Sequence, residues 1–188
     1  MASLSKCIGM MDEGIERTIQ LIPQLPAAEA KLSRLLLMVS DSLNEKLEFE
    51  LKPYQLNHSE FLTLMFLYSR PDSSSTPGEL CEFTKQGATN MTRIGNMLAK
   101  RDLITRSSSD DDRRRVVIRI TAAGKRLVLK IVPPLFPHLN VMFDGFSQTD
   151  KKNLNRMLRK LALNIDRASE DQATGHPDLP IGIMKATK

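Results

Sequence analysis

The sequence contains no Trp, two Tyr and seven Phe, so aromatic residues make up 5% of its 188 positions. Proteins that grip single-stranded nucleic acid need aromatic faces on which bases stack, and this chain has few to offer. Cysteine is as scarce, with only Cys7 and Cys81. Two thiols cannot build a disulfide framework, and such usage suits a reducing cytoplasm. No apolar run approaches the roughly 20 residues that cross a bilayer. Asp12, Glu13, Glu16 and Arg17 interrupt the apolar residues near the N-terminus, which argues against a secretory signal. There is no glycine-rich phosphate loop, and His58, His138 and His176 lack metal-ligand spacing. An enzyme is therefore disfavoured, and neither metal nor cofactor is expected.

The chain does have an uneven charge distribution. Its net charge is +5, but residues 85–126 hold eleven Lys or Arg against four Asp. That segment is thus +7 and the remainder −2. A basic run is most often only a solvated face; here it coincides with a pattern that binds phosphate backbones. Hydrophobic residues reach 41%, enough for a core, and ten Met suit adaptable apolar packing, as around a ligand. The length suits one domain, or one domain with an extension.

The element pattern is mainly α with a small β-hairpin. Residues 5–20 form a short helix ahead of Pro23 and Pro26. A longer one over 27–51 carries the stripe Leu32, Leu35, Leu36, Val39, Leu43 and Leu47, and Pro53 ends it. Asn57 or Ser59 caps the next helix, which is apolar nearly all round from Phe61 to Leu67 and so expected to be buried. Thr76-Pro77-Gly78-Glu79 is a helix start with a capping box, and Leu80 and Phe83 would face the core. Lys85-Gln86-Gly87 makes a turn into a helix ending near Arg101. Strands follow over 103–106 and 116–120, where β-branched residues cluster. A helix opening at Thr121 is expected to break or kink at Pro133-Pro134 and Pro137. Ser147 to Asp150 starts another, striped by Leu154, Leu158, Leu161 and Ile165, and residues 170–188 trail as a tail.

Two helices, a turn and a basic hairpin form a winged helix-turn-helix, which sets one helix in the major groove of DNA and a wing beside it. At about 100° per residue, Met91, Ile94, Leu98 and Met97 fall on the packing side of helix 87–101. Thr89, Thr92, Arg93, Asn96 and Lys100 fall on the other, as the side chains aimed at DNA. Asn and Arg can bond base edges bidentately, whereas Thr and Lys more often meet phosphate or a thymine methyl. Asn90 sits at the border and serves either DNA or the helix itself. In the wing, Asp112, Arg113 and Arg114 stand at the tip. Arg114 suits a narrow minor groove and Asp112 could hold it; the plainer alternative is an exposed ion pair of little weight.

The strings Thr89-Asn90-Met91-Thr92-Arg93-Ile94 and Leu98-Ala99-Lys100-Arg101-Asp102-Leu103-Ile104 together resemble the MarR family of winged helix-turn-helix regulators. Asp112-Arg113-Arg114 and the run Val116 to Gly124 complete the likeness, which spans about residues 28–168. The first string is most similar to the branch that regulates multidrug efflux pumps. The resemblance implies a homodimer with interlocked terminal helices, bound to a pseudopalindromic double-stranded DNA operator, and usually repressing. It also implies release by a small phenolic or aromatic acid held between the dimerisation helices and the reading domain. Arg114 matches the family's wing arginine and Asp112 its acidic partner. Gly87-Ala88 stand where many relatives have Ser-Arg, which puts one contact in doubt, and the extension over 1–26 is longer than usual. The resulting division is an extension over 1–26, dimerisation helices over 27–56 and 122–169, a winged domain over 57–121 and a tail over 170–188. Arg34, Ser40, Asn44 and His58 are candidates to line an effector pocket. A thiol-sensing regulator of the same fold, and a winged helix that binds protein instead of DNA, are the alternatives.

Overall fold

A computed structural model describes residues 3–108 and 116–173. Helix α1 (Leu4–Leu21) packs on α2 (Ala27–Leu51), and Lys31 meets Asp12 at 3.2 Å between them. A 3₁₀ turn over Lys52–Tyr54 follows, with Pro53 inside it, so the proline ends the helix where expected. Asn57 then caps α3 (His58–Ser69): its side chain accepts from the Glu60 N–H, and Glu60 accepts from the Asn57 N–H, closing a capping box. Phe61, Leu64 and Leu67 of α3 are buried, with Leu62, Met65 and Phe66 partly so.

Thr76, Pro77 and Glu79 build the start of α4 (Pro77–Thr84) through a second capping box. Leu80 is fully buried, but Phe83 is not the core residue expected: it is 49% exposed and stacks on Phe66, ring centroids 4.3 Å apart. An eight-residue helix has room for one inward stripe, and Leu80 and Thr84 occupy it. Lys85 takes the left-handed conformation, φ 53°, and turns the chain into α5 (Ala88–Lys100).

The hairpin is β2 (Ile104–Ser108) with β3 (Val116–Ile120), antiparallel, pairing Ile104 with Ile120 and Ser108 with Val116. A third strand, β1 (Ser74–Ser75), lies on the far side of β3, giving the order β1-β3-β2. Two serines carry no strand signal. They pair because tertiary bonds bring the loop to β3: the Ile120 N–H donates to Ser73 O and the Arg119 guanidinium donates to Asp72 O. The core joins Leu51, Leu64, Leu80, Ile94, Leu98, Ile118 and Ile131 from the surrounding elements.

Helix α6 (Ala122–Met142) is entered by a close approach. A Cβ on Gly124 would stand 2.3 Å from Leu103 O, so only glycine fits. Of the break or kink expected at Pro133, Pro134 and Pro137, the break does not occur, and α6 continues through all three. Proline's fixed φ is helical, and the carbonyls deprived of a donor by Pro133 and Pro134 belong to exposed Leu129 and Lys130, where water can bond them. The described residues form two compact units, divided between Phe136 and Pro137. In the second, Gly145 turns the chain at φ 77° and Ser147 and Asp150 cap α7 (Gln148–Ala173) reciprocally. Leu158, Leu161 and Ile165 of its stripe are exposed. The helix runs into the segment expected to be tail; residues 174–188 lie outside the described ones.

Candidate nucleic-acid interface

Helix α5 is held by Met91, Ile94, Gly95 and Leu98, all buried. Thr89, Thr92, Arg93, Asn96 and Lys100 are exposed on the opposite side, as the helical spacing requires. Met97 is a correction: it is 45% exposed. At about 100° per residue it lies some 60° beyond Ile94, past the edge of the packed sector. Gly95, which the spacing argument passed over, lies inside that sector.

Asn90 is half-buried and bonded within its own surroundings. Its Nδ2 donates to the Gln86 side chain, and its Oδ1 accepts from Arg93 Nε at 3.0 Å. Asn90 thus anchors the helix start and steers Arg93. Thr92 donates its hydroxyl hydrogen to Ala88 O at 2.9 Å. Asn96 accepts at Oδ1 from Arg106 Nη1, 2.8 Å away, and Arg106 Nη2 reaches Thr92 O at 3.3 Å.

The basic residues divide by task. Arg101 donates to Gln55 O and Tyr54 O at 2.6 and 2.8 Å, tying the end of α5 to the 3₁₀ turn. Arg119 holds the β1 loop. Arg106 lies against α5. Charge counting treated these alike with Arg93 and Lys100; their hydrogen bonds separate them. The placement of Arg106 against Asn96 and Thr92 was missed. The glycine at position 95, in mid-helix against propensity, was the available signal of a close approach. Asp112, Arg113 and Arg114 lie outside the described residues.

A cavity of about 560 Å³ opens between α4, α5 and the hairpin, lined by Cys81, Met91, Thr92, Arg106 and Ile118 among others. Its size suits a small ligand. Arg34, Ser40 and Asn44 are exposed on α2, and His58 is half-buried at the start of α3. None of the four lines this cavity or a smaller polar one between the β1 loop and α4. Cys7 and Cys81 are free thiols. Among the described residues, no helix is long and apolar enough to cross a membrane.

The helix pair α4–α5, the paired strands β2–β3 and the exposed polar face of α5 define a winged helix-turn-helix protein. The comparisons with known proteins give the family. Residues 54–115 match the family model described as MarR family. The chain is similar to the transcriptional repressor MprA of Escherichia coli strain K12, 32% identical over 146 residues, which is 78% of this chain and 83% of that one. Among solved structures, AbsC of Streptomyces coelicolor, a MarR family transcriptional regulator, has TM-score 0.69 at 22% identity, over 76% of this chain and 97% of its own. BpsR of Bordetella bronchiseptica, described for regulation of its DNA binding by 6-hydroxynicotinic acid, has TM-score 0.61 at 20% identity, over 69% of this chain and 91% of its own. This chain belongs to the MarR family. It is a DNA-binding transcriptional regulator and not an enzyme.

Proposed function

We infer that the chain is a repressor that binds a pseudopalindromic operator as a homodimer and leaves it when a small aromatic or phenolic acid binds. The observation that carries this reading is α5: a rigidly packed helix whose exposed side presents Thr89, Thr92, Arg93, Asn96 and Lys100 together. Lys100 suits phosphate, and Arg93 and Asn96 suit base edges. Asn90 contributes by holding Arg93. Arg113 and Arg114 would add wing contacts, with Asp112 orienting Arg114. The dimerisation helices would be α2, α6 and α7, with α1 enlarging the interface.

The effector is best received by the cavity beside α5. Among the described residues its walls are largely apolar, with Arg106, Thr92, Ser107 and Ser108 as the polar ones, a combination that suits an aromatic carboxylate. Its walls include Thr92 of the reading helix, so an occupant that prefers a different seating of α5 would shift the DNA-binding population. BpsR, regulated by a hydroxynicotinic acid, supports this ligand class by similarity.

The test is a gel shift on sites that the protein enriches from a randomised duplex pool. Binding should weaken steeply with salt, since phosphate contacts release counterions. Arg93→Ala should cost roughly 1–3 kcal/mol of discrimination with the fold intact. Benzoate-, salicylate- and nicotinate-like acids, titrated into the complex, should lower affinity. No salt dependence overturns the DNA reading; no response to any aromatic acid overturns the release model.

A further inference from the structure

Asn96 is a reader with an ambiguity built into it. Its carboxamide has an acceptor end and a donor end of the same shape, and an unconstrained side chain can present either. Here it is constrained. Arg106 Nη1 donates to Asn96 Oδ1 at 2.8 Å while Nη2 donates to Thr92 O at 3.3 Å. A guanidinium has donors only, so it donates to the oxygen end of the amide and leaves the NH₂ end turned away.

The fold explains how a wing arginine gets there. Arg106 pairs with Ile118 and shares a sheet face with Ile104. Both isoleucines are buried, so the Arg106 side chain sets out on the core face of the hairpin and crosses α5. The crossing point is Gly95. A Cβ there would lie 2.1 Å from Arg106 Nη2 and 3.1 Å from Cζ. Glycine is disfavoured in mid-helix relative to alanine, and this passage gives it a reason.

Resting on the DNA-reading role of α5, we propose that Arg106, admitted by Gly95, is a positioning residue that sets the Asn96 amide for base reading. Its Nδ2 donor is then the end offered to the base pair. Ordering the amide before DNA arrives removes that cost from binding, so the benefit falls on sequence discrimination rather than on general phosphate affinity.

Two variants test it. Gly95→Ala changes no charge, favours helix and displaces only the tip of a flexible side chain, so the chain should fold with an undiminished thermal midpoint. Arg106→Lys keeps the charge and loses the planar fork. Asn96→Ala, assayed on the randomised duplex pool, first identifies the base pair that Asn96 reads. Both variants should then lose preference at that same base pair by about five-fold or more, with the salt slope unchanged. In an Asn96→Ala background neither should cause further loss, because the three residues act as one unit.

Unchanged preference in both variants overturns the proposal, as does a full additive loss on top of Asn96→Ala. So does an even loss across all sequences with a salt slope lower by about one, the mark of a direct phosphate contact. No loss at any base pair in Asn96→Ala also overturns it. Failure of the parent to bind any duplex sinks the DNA reading itself and the positioning role with it.

Discussion

Glu79 shows how much one side chain can settle. Its carboxylate accepts from the Ser75 hydroxyl at 2.6 Å and from the Thr76 N–H at 3.1 Å, joining the third strand to the start of α4. Those bonds, the Ser75 hydroxyl foremost, hold its pKa below the ordinary carboxylate value. A carboxyl with a depressed pKa in the folded state stabilises the fold above its unfolded pKa. That contribution is lost as pH falls through the folded value. Thermal stability should therefore fall on acidification below about pH 4 to 5, where unfolded-state carboxyls begin to protonate. Glu79→Gln keeps an oxygen for the capping box and cannot titrate there. Its melting temperature should fall less over the same range, as read by circular dichroism; equal slopes would show that Glu79 contributes nothing. Some slope should remain, because Asp72 and Asp150 are lowered in the same way by Ser74 and Ser147. The capping pattern was legible in Thr76-Pro77-Gly78-Glu79, since a cap is local chemistry. The Ser75 bond was not, since it depends on where the loop before the helix lies.

At the scale of elements, the joint between hairpin and α6 carries the wing. Thr121 donates its N–H to Leu103 O and its hydroxyl to Asp102 O, while Gly124 donates to Thr121 Oγ1. Gly124 brings α6 down onto Leu103, and the Cβ of an alanine would meet that backbone oxygen and the Ile120 side chain. Unlike the tip of Arg106 at Gly95, a backbone carbonyl cannot swing aside. Gly124→Ala should cost roughly 1–3 kcal/mol despite its better helix propensity, measured as a lower urea midpoint. An unchanged midpoint would show that the joint relaxes freely. The two glycines thus look alike in the sequence, both in helices, and differ in what lies over them. Helix boundaries at Ala27 and Leu51, the start of α5 to within one residue, and strand β3 were readable from periodicity and turn signals. The continuation of α6 through three prolines was not, because it turns on which carbonyls face solvent.

For the whole molecule, the exposed apolar stripes set the question. Leu32 and Leu43 of α2 are 61% and 43% exposed in a single copy, and Leu158, Leu161 and Ile165 of α7 are exposed as well. Apolar side chains repeated at helical spacing on two separate helices are more than scattered surface leucines, and they suit burial against a second chain. Light scattering at micromolar concentration should give twice the 21.2 kDa of one chain. Leu43→Glu should shift the mass toward monomer and weaken binding to a two-half-site duplex far more than to a single half-site. A parent that scatters as a monomer would end the dimer reading.

By itself the sequence determined the helix order, the caps, the β-branched strand and the polar face of α5, because each depends on residues within a few positions of one another. It also concentrated the positive charge in 85–126. Only the tertiary structure decided which basic residues are occupied in holding the fold. Arg101 and Arg119 bond carbonyls 46 or 47 positions away in the chain, and Arg106 lies over Gly95 against Asn96. It likewise paired two serines as a strand and left Met97 outside the core. Periodicity says which way a side chain leaves its helix; what waits there is set by chain that is distant in sequence and close in space.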